Sequence, residues 1–329
     1  MDPIFIICAV VVIAVFFDFA NGWNDSANAI ATVVSTRVLT PGQAVFMAAI
    51  FNFIGAYLST KVAKTIGGSI VDPMVVTQGV VFFAMVTACI WVSVATFKGL
   101  PISASHSLIG GLIGAGIGKG GIAIVKWKGV MMILTALFVS PLLGMLFGFI
   151  FMKILGRTIS NFSYGKVNRV FGKLQIVSSA IMALSHGTND AQKVMGVITL
   201  ALFSGGFLTD LTVPLWVIFV CAMAIACGTA VGGWKVIKTL GTDLMDLRPV
   251  HGFVAETSAA GVLFGAAALG IPVSTTHCIT SSIVGVGAAK RKGGVRWGIG
   301  KSIMYAWILT LPFCMLLGYL FIKAAHFIF

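Results

Sequence analysis

The stretch Gly22-Trp23-Asn24-Asp25-Ser26-Ala27-Asn28-Ala29 and the stretch Gly187-Thr188-Asn189-Asp190-Ala191-Gln192-Lys193-Val194, 165 residues later, are two versions of one phrase. A second pair follows in the same order. GLPISASHSLIGGLIGAGIGKGG begins at Gly99, and GIPVSTTHCITSSIVGVGAAKRKGG begins at Gly270, 171 residues on. Two matched pairs at nearly one offset indicate an internal duplication. The chain divides into a first repeat over 1–152, a basic connector over 153–173 and a second repeat over 174–329.

What surrounds these phrases is apolar. Of 329 residues, 58% are hydrophobic and 9% charged, with mean hydropathy +1.05. Soluble domains carry about 25% charged residues, so too little charge is present here to clothe a soluble core. Apolar runs near 3–20, 42–60, 76–97, 128–152, 212–233, 248–268 and 302–322 are long enough to cross a bilayer as helices. The Gly-, Ser- and Thr-rich stretches 22–36, 101–118, 187–206 and 272–289 are weakly charged and poor water-exposed loops. Short alternating strands are missing, which argues against a barrel. The expected fold is an all-α polytopic membrane protein in the cell membrane.

The net charge of +13 resides mostly between spans, where it reads as a topology signal and not as a nucleic-acid surface. Lys153, Arg157, Lys166, Arg169 and Lys173 mark one cytoplasmic segment, and Lys290, Arg291, Lys292, Arg296 and Lys301 mark another. The loop 119–127 should be external, yet it is the repeat mate of 290–298. Equivalent loops on opposite sides predict inverted repeats. Inverted repeats with interrupted segments at matching positions are a mark of secondary transporters. No nucleotide-binding motif is present, so the energy source expected is an ion gradient. Cys8, Cys89, Cys221, Cys227, Cys278 and Cys314 form no CxxC pair and read as small apolar fillers.

Acids inside a bilayer are expensive and are functional candidates by default. Asp18, Asp25, Asp190 and Glu256 lie in apolar surroundings. Beside the Asn–Asp pairs a glycine suggests a break exposing backbone carbonyls, so Asn24, Asp25, Asn28, Asn189 and Asp190 compose a candidate hard-oxygen cation site. The alternative is that the aspartates cap following helices. Lys193 occupies the position of Asn28 and could neutralise a carboxylate; Gln192 adjoins it. His186, in the repeat position of Asn21, is read as a support for the broken segment. Asp18 and Glu256 have no repeat mates among the acids and are candidates for a further cation ligand, a proton carrier or a counter-ion to Lys193. No acidic or Cys partner is recognised at ligand spacing to the histidines, and zinc is not expected. Trp23 is expected to wall off the ion site.

Ser103, Ala104, Ser105 and His106 match Ser274, Thr275, Thr276 and His277. Pro101 and Pro272, placed at the first helical turn, leave N–H donors that can surround an oxyanion together with the hydroxyls. Packing alone is the competing account of these small residues. His106 and His277 either fix this geometry, touch substrate or accept a proton.

On these residues, GWNDSANAIATVVSTR and SHGTNDAQKVMGVITLAL above all, the chain resembles the PiT (PHO4) family of inorganic phosphate transporters over essentially its whole length, in a compact prokaryotic form. The resemblance implies symport of phosphate with Na⁺ or H⁺ through inverted repeats, and homodimers; membrane lipids are the surrounding partner. Asn24, Asp25, Asn189 and Asp190 resemble the family's cation-linked residues. The stretches 101–106 and 272–277 resemble its phosphate-binding hairpin starts. Trp23 and Thr188 stand where the family usually has Ala, and Ala104 lacks the hydroxyl of Thr275. The retained asparagines favour Na⁺, because an amide oxygen is a ligand that carries no proton. A sulfate permease of the same architecture is the alternative, and a channel-like anion conductor or a membrane receptor the alternative of another class. An enzyme is not expected.

Overall fold

The computed structural model describes residues 3–290 and 294–328. Arg291 and Lys292, two of the topology markers, lie outside the described residues. Among the described residues there are twelve α-helices: α1 (Pro3–Ser35), α2 (Pro41–Ala56), α3 (Lys61–Ser69), α4 (Gln78–Lys98), α5 (Ala104–Gly120), α6 (Trp127–Thr158), α7 (Tyr164–Ser204), α8 (Leu215–Val231), α9 (Trp234–Lys238), α10 (Pro249–Ala268), α11 (Thr275–Lys290) and α12 (Trp297–Ile328). Five of them are long and apolar enough to cross a membrane. Two bent pairs, α2 with α3 at 69° and α8 with the helix beginning at Trp234 at 65°, pass the same test as broken spans. The chain is a multi-pass membrane protein.

Each helix of the first half has a counterpart six helices later, and their packing is crossed. Helix α1 packs on α8 and α7 on α2; α5 packs on α12 and α11 on α6. Individual bonds repeat the exchange. Lys61 Nζ donates to the Ala268 carbonyl at 3.0 Å, while Lys235 Nζ donates to the Phe97 carbonyl at 2.9 Å. Each lysine thus meets carbonyls left open at a helix C-terminus, where positive charge is favoured. Thr65 Oγ1 donates to Gly270 O at 2.7 Å, and Thr239 Oγ1 to Gly99 O at 2.8 Å. Gly99 and Gly270 take φ of 71° and 70°, a left-handed conformation that glycine adopts without a Cβ clash. They end α4 and α10 and turn the chain into the two proline-led segments.

The core of the fold is the α1–α7 pair. Asn21 meets Asp190, Asp25 meets His186, and Thr36 meets Gln175. Residue numbers rise along α1 as they fall along α7, so the two repeat copies run antiparallel. This is the inverted relation that the loop charges predict.

The Asn–Asp pairs do not lie at breaks, which corrects the sequence-based expectation. Gly22 and Gly187 sit inside continuous helices of 33 and 41 residues. Their glycines serve close crossing instead. A Cβ on Gly22 would stand 2.3 Å from Ile225 O of α8, and one on Gly187 2.2 Å from Asn52 O of α2. The breaks fall in those partner helices. The side chain at Gln192 accepts from Val62 N at 2.8 Å and Ala63 N at 3.3 Å at the start of α3. Ser26 Oγ accepts from Gly233 N at 2.7 Å just before α9. Helical continuity also removes the reading of Asp25 and Asp190 as helix caps, and shrinks the non-helical part of the 153–173 connector to 159–163.

Candidate functional site

The antiparallel register aligns polar residues on facing stripes. Along α1 they are Asp18, Asn21, Asp25, Asn28 and Thr32, three or four apart, the spacing of one helix face. Along α7 they are Gln175, Ser178, His186, Asn189, Asp190 and Lys193. All are buried. A seam from Asp18 to Thr36 would be about 27 Å long at 1.5 Å per residue, comparable to the hydrocarbon thickness.

At its middle the carboxylates of both repeats converge. Asp25, His186 and Asp190 each present a ligand atom within 4.8 Å of the others. His186 Nε2 is 3.6 Å from Asp25 Oδ2 and 3.3 Å from Asp190 Oδ2. The tautomer of this ring follows from its surroundings. Asn52 Nδ2 donates to Thr229 Oγ1 at 2.9 Å, leaving Asn52 Oδ1 to accept at 2.9 Å from His186 Nδ1. With the proton held at Nδ1, Nε2 turns a lone pair toward two carboxylates unless a second proton or a cation stands between them. A histidine so braced by its other nitrogen is an effective cation ligand. This corrects two expectations: His186 is a member of the centre and not merely a support, and His186 with Asp190 is an i, i+4 ligand spacing that the motif reading passed over.

The asparagines fit the same chemistry. Asn24 Nδ2 donates to Thr96 Oγ1 of α4 at 2.8 Å and to Leu100 O at 3.4 Å. Asn189 Nδ2 donates to Ser185 O at 2.9 Å and to Leu263 O of α10 at 3.2 Å. Asn28 Nδ2 reaches Thr275 Oγ1 at 3.3 Å and Thr276 Oγ1 at 3.1 Å. In all three, the amide oxygen is left buried with no donor. Buried polar atoms are seldom left so, and an oxygen without a donor suits a cation. Asn21, which sequence reasoning did not include, donates to Asp190 Oδ2 at 3.5 Å and positions that carboxylate. Its signal was available: it is the repeat mate of His186 and continues the α1 stripe.

Lys193 makes a short ion pair with Asp190 Oδ1. Glu256 of α10 lies on the seam toward Thr36, where the hydroxyls of Thr32 and Ser178 each donate a short hydrogen bond to one of its oxygens. The ammonium of Lys193 is thus engaged by Asp190, not by Glu256. Gln192 acts at the start of α3, as described above. Trp23 packs edge-on against Phe97, with centroids 4.9 Å apart.

The two proline-led segments meet head to head beside this cluster. Ser103 and Ser274 are the residues before α5 and α11, and their hydroxyls accept from His106 N at 3.2 Å and His277 N at 3.3 Å. Pro101 and Pro272 therefore precede the helices and are not in the first turn as expected; the first turns begin at Ala104 and Thr275. Ser105 Oγ donates across to Val273 O at 3.1 Å, and the His106 and His277 rings lie 4.7 Å apart. Trp307 stacks on His277 at 3.9 Å and donates from Nε1 to Pro101 O at 2.8 Å.

The pseudo-symmetry fails where it matters chemically. Thr276 Oγ1 donates to Asp25 Oδ1 at 2.9 Å, and Thr275 Oγ1 lies 3.2 Å from Asp25 Oδ2 and 3.1 Å from Asp190 Oδ2. Ala104, the mate of Thr275, brings only its backbone N–H. The start of α11 is thereby bonded to the acid cluster, whereas that of α5 is bonded to the other proline-led segment.

A model of the phosphate transporter family matches residues 21–318, which contain the carboxylate cluster and both proline-led segments. The chain belongs to that family. It is 44% identical over 322 residues to a protein of Bacillus subtilis (strain 168) named as a probable low-affinity inorganic phosphate transporter, covering 97% of each chain. A protein of Rhizobium meliloti (strain 1021) with the same name is 45% identical over 322 residues, covering 97% of this chain and 96% of that one. A solved structure described as the sodium-dependent phosphate transporter superposes with a TM-score of 0.91 at 25% identity, covering 98% of this chain and 100% of that one. Family membership with that fold makes the chain a secondary transporter and not an enzyme.

Proposed function

We propose that this protein carries inorganic phosphate across the membrane together with a cation, Na⁺, by alternating access of its two inverted halves. Membership of the family, and the names of the relatives, support the substrate and the ion. One observation carries the coupling: the hydroxyls of Thr275 and Thr276, at the helix start best suited to an anion, are bonded to Asp25 and Asp190.

An anion entering beside two carboxylates is repelled. Two unit charges 4 Å apart interact by about 4 kcal/mol at an effective dielectric of about 20, close to three decades in affinity. With the cation site empty, Lys193 offsets one carboxylate. A Na⁺ held by Asp25, Asp190 and the open oxygens of Asn24, Asn28 and Asn189 lies between both carboxylates and relieves them of their need for donors. Thr275 and Thr276 then turn their hydroxyls to phosphate. The first-turn N–H groups of Ala104, Ser105, Thr275 and Thr276 and the hydroxyls of Ser103, Ser105 and Ser274 complete the cradle at two positive helix ends. His106 and His277 stack behind it and set the separation of the two starts. The bent pairs α2–α3 and α8–α9, tied to α7 and α1 next to the aspartates, are the elements through which site occupancy reaches the two halves. The assembly in the membrane is read as a homodimer.

The test is uptake of labelled phosphate into sealed proteoliposomes, with labelled sulfate in parallel and Na⁺ and pH gradients imposed separately. Accumulation of phosphate under an inward Na⁺ gradient is expected. Sulfate-selective uptake overturns the substrate, and accumulation under a pH gradient alone overturns Na⁺.

A further inference from the structure

Among the described residues four acids are buried in the helical core, and three of them are hydrogen-bonded. Asp25 is met by Thr275 and Thr276, Asp190 by Asn21, Thr275 and Lys193, and Glu256 by Thr32 and Ser178. Asp18 is fully buried, and both of its carboxylate oxygens lack a hydrogen-bond partner. It lies one turn before Asn21, at the end of the polar seam nearest the start of α1. Past it α1 continues as Val15, Ala14, Val11 and Val10. Its repeat mate is Ala183, so the duplicated architecture does not require an acid there.

The groups facing Asp18 narrow its role. Helix α8 presents the Cys221 thiol, and α7 presents His186, Asp190 and Lys193. Helix α4 carries Cys89 and, at its far end, Lys98, while α2 has no acid or base. A hard cation needs several oxygens around it, and around Asp18 stand a thiol, an imidazole and an ammonium beside the one carboxylate of Asp190. A proton needs one oxygen. A buried carboxylate without a partner costs several kcal/mol, which protonation removes.

Lys193 supplies the reason for the proton to leave. In the antiparallel register it stands level with Asp18, although its ammonium is paired with Asp190. A cation at Asp25 and Asp190 competes directly for that carboxylate. The ammonium then has one other buried carboxyl on which it already acts electrostatically, that of Asp18.

We propose that Asp18 is a proton-carrying site, loaded while Lys193 pairs with Asp190 and emptied when a cation displaces Lys193 toward it. The balance is simple. The Asp18 O–H bond breaks, its proton is released to bulk water, and the carboxylate left behind pairs with the unchanged Lys193 ammonium. One positive charge enters the centre and one leaves it. The inference rests on the cation reading of the centre, but not on which cation binds there.

The test is infrared difference spectroscopy on the full-length protein in lipid, recorded on adding sodium phosphate against choline phosphate, and again with the pH lowered in place of added Na⁺. Wild type is expected to lose a protonated-carboxyl C=O band on adding Na⁺. D18N should lack that change, D18E should show it at a shifted frequency, and E256Q should keep it. The K193M variant should bind Na⁺ without the band being lost. An unchanged carboxyl region in wild type, or the same band loss in D18N, overturns the proposal. If D18N does not fold, the frequency shift in D18E decides, and an unshifted band there overturns it. Phosphate uptake without any Na⁺ response would remove the Na⁺ assignment alone; the band then answers to whichever cation does drive uptake, recorded with that cation.

Discussion

A single hydroxyl, that of Thr275, lies 3.2 Å from Asp25 Oδ2 and 3.1 Å from Asp190 Oδ2, so a side chain of the second repeat bridges the paired aspartates of both. Hydrogen bonds to charged groups contribute about 1.5–3 kcal/mol. Replacing Thr275 with Val keeps the shape and removes the donor. We expect T275V to reduce Na⁺-driven uptake about 10- to 100-fold and T275S to keep most of it. Equal rates for T275V and wild type would show the bridge to be structural only.

The aspartates themselves should separate into two behaviours. D25N and D190N should both depress coupled uptake far more than they depress the amount of folded protein. D190N also leaves the buried Lys193 ammonium uncompensated. Removing one member of a buried pair costs about 3–5 kcal/mol, so D190N should unfold at a lower temperature than D25N. The double variant D190N/K193M should recover part of that loss. Retention of Na⁺ dependence in both single variants would sink the cation site.

Gly22 and Gly187 should tolerate no side chain. Alanine there would put a Cβ 2.3 Å and 2.2 Å from a backbone carbonyl oxygen of the crossing helix. Overpacking of this kind costs about 1–3 kcal/mol or more. Gly156, which has nothing within 4 Å, is the control. Thermal unfolding should rank G156A close to wild type and both G22A and G187A well below it; three equal transitions would refute the close-crossing account.

The breaks should depend on residues next to the aspartates. Gln192 holds the first N–H groups of α3, a capping role of about 0.5–2 kcal/mol. In Q192L, amide hydrogen exchange at Val62 and Ala63 should quicken while the middle of α7 stays protected. Unchanged exchange at both amides would remove Gln192 from this role.

Much of this was legible in the residues. The duplication, the membrane class and the two polar phrases follow from hydropathy and from spacing along the chain, because each is a property of one segment compared with another. The placement of the breaks was not. A glycine beside Asn–Asp reads equally as an interruption or as a close crossing, and the difference lies in Ile225 and Asn52, far away in sequence. Asn21 and Thr32 share helical spacing with Asp25 and Asn28, but the expected break at Gly22 hid that stripe, and a stripe acquires meaning only when the helix it faces is known. His186 was read from its neighbours in the chain, whereas its role comes from Asn52 behind it and two carboxylates before it.

The Asn–Asp pairs by themselves determined that costly polar groups recur at matching places in two apolar halves. That is a matter of composition and order, which needs no coordinates. Only the tertiary structure decided that these pairs lie within continuous antiparallel helices, that the carbonyl oxygens of their asparagines stay open, and that Thr275, lacking a hydroxyl mate at Ala104, makes the centre unequal. Those are contacts between residues up to 251 positions apart, and distance along the chain carries no information about them until packing brings the helices together.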